Sequence, residues 1–230
     1  MASIYKEYKT PLDSFIGAWF IDEDICDKLI DYFENNKAKA TKGTTGTGRL
    51  DPEIKESLDL ALSKNNKLLI EYWSKHFQKL IHLYEDRYKC VSKLSKYSLV
   101  EEPNIQYYNP GAGFKIWHCE REGPNTSNRQ LVFMTFLNTA KGAGTEFYYQ
   151  GLSIPCKKGL TLIWPTDFTH LHKGIINKKK TKIYFNRMVK LHMIDNRRIA
   201  VLGGGNAGWL TALFCKQIFP KSHIIVIDNE

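Results

Sequence analysis

No two cysteines in this chain are spaced Cys-x-x-Cys. The five present, Cys26, Cys90, Cys119, Cys156 and Cys215, are widely separated and odd in number. That argues against a zinc knuckle or a redox dithiol. Long apolar runs are missing too: none approaches the roughly 18 residues of a membrane span, so no membrane partner is expected. The opening residues, Met1 to Glu7, lack the charged start and apolar core of a signal peptide. A cytoplasmic, reducing location is the expectation. Acidic residues are comparatively scarce, 24 Asp and Glu against 33 Lys and Arg, for a net charge of +9. The basic residues are scattered, and the densest run, Lys178-Lys179-Lys180, reads as a solvated turn between strands. Nucleic acid is therefore not an expected partner.

What is present describes a folded protein. The chain is 43% hydrophobic and 13% aromatic, unlike a disordered one. Its 230 residues suffice for one good core and a small second unit. Residues 1–100 read as mostly helical support. Between Asp22 and Phe33, Ile25, Leu29, Ile30 and Phe33 recur at helical spacing behind acidic residues that suit a helix N-terminus. A Gly/Thr-rich loop runs from Lys42 to Gly48. Asp51-Pro52 then reads as an N-cap followed by proline at the first helical position. From about Lys67 to Tyr88, one helical face carries Leu69, Tyr72, Trp73, Phe77, Leu80 and Ile81, which reads as core.

Residues 97–191 are strand-rich. Apolar and β-branched runs recur at Leu131 to Asn138, Thr145 to Tyr149, Leu160 to Trp164 and Lys182 to Val189, separated by Gly, Pro and Asn. Short strands at this spacing predict a double-sheet jelly roll covered by the preceding helices. The expected fold class is α+β: a double-stranded β-helix (jelly roll) with supporting N-terminal helices, plus a C-terminal βαβ fragment.

The strand-rich region holds the chemistry. His118 and Glu120 are two apart, so on a strand they point to one face. A third ligand must come from a distant strand, and His170 and His172 both offer one. His172 is preferred for its following Gly174 and its spacing of about ten residues to Lys182. Two imidazoles and one carboxylate bind one face of a divalent iron and leave the opposite positions open. A cation just beyond the second histidine can hold the far carboxylate of a keto acid. The residue pattern thus points to a non-haem iron oxygenase.

The order of motifs resembles the catalytic domain of Fe(II)/2-oxoglutarate dioxygenases of the prolyl 4-hydroxylase type, including small phage-like members. The matching elements are Tyr108-Asn109-Pro110-Gly111-Ala112-Gly113-Phe114, then His118-Cys119-Glu120, then Arg129 before a strand ending Phe136-Leu137-Asn138. Gly142 to Phe147, Ile154 to Gly159, and His172 with its glycine and Lys182 complete the frame. It covers about four-tenths of the chain. Upstream, Arg49 to Ser57 is loosely similar to helical segments of the phage-like members. The resemblance implies His118, Glu120 and His172 as metal ligands and Lys182 as partner of the 2-oxoglutarate C5 carboxylate. Tyr108 matches an aromatic that hydrogen-bonds the same group. Many members carry aspartate at the place of Glu120; glutamate keeps the charge and the oxygen donor. The implied reaction couples decarboxylation of 2-oxoglutarate to hydroxylation of a C–H bond, with ascorbate as reductant. The implied substrate is a prolyl or other peptidyl or amino-acid group. Trp117, Phe147 and Trp164 are candidates for the pocket lining.

After about Arg197 the pattern changes. Ile199 to Leu202 reads as a strand, Gly203 to Gly208 as a glycine turn, the run to about Phe219 as a helix, and Ile224 to Ile227 as a second strand ending at Asp228. Gly203, Gly205 and Gly208 satisfy Gly-x-Gly-x-x-Gly in a strand–turn–helix context suited to a pyrophosphate, with Asp228 placed for a ribose hydroxyl. Gly203 to Trp209 resembles the opening of flavin-dependent tryptophan halogenases. One βαβ unit is too small to hold FAD, so no flavin chemistry is expected of residues 197–230. The expected division is an oxygenase domain, 1–196, and a truncated Rossmann-like fragment, 197–230. Two other readings stay open. One is a non-catalytic jelly-roll binding module with a vestigial metal site. The other is the N-terminal part of a bifunctional oxygenase–flavin halogenase.

Overall fold

The computed structural model describes residues 5–45, 48–93, 97–99, 101–191, 198–202, 205–218 and 223–227. The chain divides into two compact units, Met1–Leu191 and His192–Glu230. The expected 196/197 boundary itself lies outside the described residues.

The first unit is predominantly antiparallel sheet. Its strands are β1 (Gly17–Phe20), β2 (Thr41–Lys42), β3 (Leu58–Ala61), β4 (Tyr97–Ser98), β5 (Asn104–Tyr108), β6 (Arg129–Phe136), β7 (Gly144–Phe147), β8 (Leu152–Pro155), β9 (Leu160–Pro165), β10 (His172–Ile175) and β11 (Lys182–Leu191). Eight form one sheet in the order β1-β9-β6-β11-β5-β3-β2, with β4 beside β11, and β10-β7-β8 form a second. Side-chain alternation builds a core on each face of the large sheet. Phe133, Ile163, Ile183 and Phe185 face the helices. Val132, Leu162, Trp164 and Tyr184 face Phe147 and Ile154 of the small sheet.

Helix α1 (Glu23–Asn36) buries Ile25, Leu29 and Phe33. Helices α2 (Lys67–Tyr72) and α3 (Gln78–Arg87) are joined by a π-turn at Trp73–Phe77. The wider turn brings Phe77, Ile81 and Tyr84 back over the face begun by Leu69 and Tyr72, which a strict 3.6-residue helix would rotate away. Tyr72 is fixed to the sheet by a buried hydroxyl chain: its Oη lies 2.7 Å from Thr135 Oγ1, which lies 2.8 Å from Thr161 Oγ1.

Two expectations for residues 1–100 are corrected. The region is not mostly helical, because it also supplies β1, β2, β3 and β4. The helix expected from Asp51-Pro52 is a single turn. Asp51 Oδ1 accepts from Glu53 N, and its carbonyl accepts from Ile54 N and Lys55 N. The turn then stops, because Lys55 bridges Phe114 and the chain enters β3. Lys178–Lys180 form an exposed turn between β10 and β11, where Asn177 Oδ1 accepts from Lys179 N and Lys180 N.

In the second unit, β12 (Arg198–Leu202) and β13 (His223–Ile227) pair in parallel, with α4 (Asn206–Ile218) between them in the chain. Gly205 precedes α4 and has open space where a Cβ would stand. Gly203, Gly204 and Asp228 of the expected nucleotide turn lie outside the described residues. Among the described residues, no helix is long and apolar enough to cross a membrane.

Candidate metal centre

A cavity of about 320 Å³ opens between the two sheets. Tyr108, Val132, Met134, Trp164, Lys182 and Tyr184 of the large sheet line it, with Thr145, His172 and Gly174 of the small one. His118, Glu120 and His172 meet in its wall, with one donor atom from each within 4.8 Å of the others. The separations are 3.8 Å from His118 Nε2 to Glu120 Oε1 and 3.7 Å from His172 Nε2 to the same oxygen.

Backbone pairing makes this meeting. His118 N donates to His172 O and His172 N to His118 O, at 3.0 and 2.9 Å. Each imidazole is then fixed from behind. His118 Nδ1 lies 3.2 Å from Ile116 O, and His172 Nδ1 lies 2.9 Å from His170 O. A carbonyl can only accept, so each Nδ1 carries the proton and each Nε2 presents its lone pair to the site. Phe114 stacks on His118 at 3.5 Å, and Phe147 and Trp164 pack against His172. Burial, reinforced by neighbouring His172, pushes the His118 pKa down to about 3 and keeps the ring neutral. Burial opposes ionisation of Glu120. The electrostatics of the site, with the Arg129 charge nearby, outweigh that and hold the carboxyl well below its ordinary range. Two imidazole Nε2 atoms and a carboxylate make a donor set that suits a divalent transition metal.

His170 is not part of this group. It ends a short 3-10 turn, Phe168–His170, with Nε2 3.0 Å from Ser14 O and Nδ1 2.9 Å from Thr169 Oγ1.

Lys182 is fully buried, and its Nζ donates to Ile175 O at 3.1 Å. No carboxylate faces it among the described ion pairs. Desolvation lowers its pKa to about 8. Glycines keep the space around the ammonium open. A Cβ on Gly113 would stand 3.1 Å from Nζ and 2.4 Å from Ile176 Cδ1, and one on Gly174 would stand 3.8 Å from Nζ. Tyr108 is the cross-strand partner of Lys182, and its ring centroid lies 5.2 Å from Nζ. Its hydroxyl, however, donates to Gln106 Oε1 at 3.1 Å. The ring, rather than the hydroxyl, meets the cation.

Of the expected lining residues, Trp164 borders the cavity. Phe147 is fully buried behind His172. Trp117 packs edge-on against Tyr148, with Lys173 4.4 Å above its ring. Sequence reasoning missed Tyr184. Its Oη and Trp164 Nε1 are buried without a hydrogen-bond partner among the described residues, an arrangement that a polar guest relieves. It also gave Arg129 no role. Arg129 Nη1 donates to Glu120 O at 2.8 Å and so anchors that segment. Its place just before a strand was the only available signal.

The fold has solved counterparts. A prolyl-4-hydroxylase from Pseudomonas putida is similar at TM-score 0.59 and 11% identity, over 79% of this chain and 97% of that one. The viral collagen prolyl hydroxylase of Paramecium bursaria Chlorella virus-1, solved as a 2OG complex, gives 0.56 and 16%, over 83% and 97%. A prolyl hydroxylase from Trichoplax adhaerens, in complex with a hypoxia-inducible factor oxygen degradation domain peptide fragment, gives 0.58 and 13%, over 82% and 84%. This chain has a prolyl 4-hydroxylase-like fold. No protein-family model and no curated protein sequence matches it.

Proposed function

We propose that Met1–Leu191 is a double-stranded β-helix dioxygenase using Fe(II) and 2-oxoglutarate to hydroxylate a prolyl or other peptidyl or amino-acid group. The observation that carries this reading is one cavity holding both His118, Glu120 and His172 and the buried, carboxylate-free Lys182. The prolyl hydroxylase-like fold supports it, as does a neighbour solved with a peptide.

His118 Nε2, Glu120 and His172 Nε2 would hold the iron. Lys182, in its glycine-lined space over Tyr108, would take the far carboxylate of 2-oxoglutarate, and Tyr184 Oη and Trp164 Nε1 are free to donate to the same guest. When bound, iron and 2-oxoglutarate together supply the oxidising power, with one oxygen atom passing to succinate and the other to the substrate. The chain's own part is positional. The two backbone carbonyls lock the imidazoles as Nε2 donors, Arg129 sets Glu120, and the aromatic wall excludes water. The test is oxygen-dependent formation of succinate by the purified protein supplied with Fe(II), 2-oxoglutarate and ascorbate. A protein that binds neither iron nor 2-oxoglutarate would sink the reading.

For His192–Glu230 we propose a separate unit of Rossmann-like βαβ design, related to the opening of a flavin-dependent halogenase. Its parallel β12–β13 pairing supports this. We assign it no part in the oxygenase site.

A further inference from the structure

Beyond the metal ligands and Lys182, the cavity borders a cluster of charge of which the proposed reaction uses only the hold of Arg129 on Glu120. Glu101 is its centre. Arg129 Nη2 lies 3.2 Å from Glu101 Oε1, Arg187 Nη2 lies 2.8 Å from Oε2, and Lys190 Nζ lies 2.6 Å from Oε1. Glu101 thus answers three cations, and Glu120 Oε2 also stands 3.8 Å from Arg129 Nη1, which leaves one positive charge in excess. Arg187 and Lys190 are three apart and would face opposite sides of a regular strand. The register of β11 shifts between Val189 and Lys190. That irregularity restores both side chains to Glu101.

The cluster belongs to the cavity wall, which Arg129 and Arg187 both line. Arg187 Nε is buried without a hydrogen-bond partner among the described residues. The other acids of the wall are engaged. Asp59 holds Lys55 at 2.7 Å and accepts from Ser57 and Gln106, and Glu120 stands between the two histidines and Arg129. Burial opposes the Glu101 charge, but Lys190, Arg187 and Arg129 overcome it and keep the group ionised. The surplus therefore persists at neutral pH. Beside it, Asn186 Nδ2 donates to Gln106 Oε1 at 2.9 Å, which leaves the Asn186 carbonyl oxygen available at the wall.

We propose that the molecule hydroxylated here presents a carboxylate to Arg129 and Arg187. This rests on the oxygenase reading and narrows its substrate class. A guanidinium fork matches a carboxylate in shape and charge, and a surplus already desolvated favours an anion over a neutral amide. The carboxylate can belong to a free amino acid or to a peptide, as its C-terminus or an acidic side chain.

The test is succinate formation by the full chain with Fe(II) and 2-oxoglutarate, in the presence of matched probes. These are the free L-amino acids, their carboxamides, and blocked peptides with and without a free carboxylate. The proposal expects at least one acid to stimulate turnover tenfold or more over its own carboxamide. The free-acid and peptide arms tell the two sources apart. Calorimetric titration of the metal-free protein with the same pair needs no turnover and should show the same preference. Arg187→Gln should weaken the acid at least tenfold without changing the carboxamide, and Arg187→Lys should recover part of the loss. Acids and amides acting alike, or no probe acting, overturns the proposal. So does an acid weakened by Lys182→Ala but not by Arg187→Gln. Absence of succinate both without probes and with every one of them instead defeats the oxygenase reading itself.

Discussion

His118 and His172 exchange both backbone hydrogen bonds across an isolated antiparallel bridge, and their ring centroids stand 4.3 Å apart. Two residues 54 positions apart in the chain are thereby held as a cross-strand pair, the contact that fixes side-chain neighbours in any sheet. Glu120, two residues beyond His118, completes the group from the same segment.

Replacing any of His118, Glu120 or His172 by alanine should weaken Fe(II) binding by a factor of about 100 or more, since each would supply one ligand of three. Anaerobic metal titration reads this directly. His170→Ala should leave metal affinity within about twofold, because its ring is tied to Ser14 and Thr169. The reverse pattern would put the third ligand at His170.

Lys182 predicts how 2-oxoglutarate affinity varies with pH. Its pKa is lowered to about 8 by burial, and a bound carboxylate requires the ammonium. Affinity should be flat below pH 7 and fall by about tenfold per unit well above pH 8. Equilibrium binding across pH 6.5 to 10 checks it; a flat profile would place the anchor elsewhere.

The same lysine should make the unliganded protein less stable. A lysine whose folded pKa lies below its unfolded value costs stability while both states are protonated. That cost is present below pH 8 and fades as pH rises from 8 toward 10.5. Lys182→Met should therefore raise the melting midpoint at pH 7 by on the order of 5 °C, and lower 2-oxoglutarate affinity by about ten- to a hundredfold. Calorimetric melting and binding on one sample test both halves.

Gly113→Ala should damage the proposed keto-acid site without touching the proposed metal ligands. The added methyl meets Ile176 Cδ1 and Lys182 Nζ. The expected result is unchanged Fe(II) affinity with 2-oxoglutarate affinity reduced by about tenfold. Equal loss of both would mean that the substitution disturbs the fold instead.

Much of this was legible in the residues. The strands carrying Leu131 to Phe136, Leu160 to Trp164 and Lys182 to Val189 stood out because apolar and β-branched runs between Gly, Pro and Asn have few other uses. The His118/Glu120 pair stood out by its spacing of two. The strands at Gly17–Phe20 and Leu58–Ala61 did not, because four residues are too few to show a period. Asp51-Pro52 misled because a cap and a helix-starting proline are local features, whereas the bridge from Lys55 to Phe114 is not. The Tyr108 hydroxyl turning to Gln106, and the gathering of Arg187 and Lys190 on Glu101, depend on cross-strand register and on a strand irregularity. Neither is written in one stretch of chain.

Removing residues from Arg197 onward should leave the oxygenase site working. The chain divides after Leu191, and every residue proposed for the site lies before it. A chain ending at Asn196 should keep succinate formation within about twofold. Loss of folding in that chain would withdraw the boundary.

The central claim is tested most directly by measuring oxygen consumed and succinate formed together, with wild-type protein and Glu120→Ala. The account predicts one succinate per oxygen molecule in the wild type, dependent on added Fe(II), and neither signal in the variant. Succinate formation that survives Glu120→Ala, or a wild-type protein that binds iron yet turns over no 2-oxoglutarate, would contradict it.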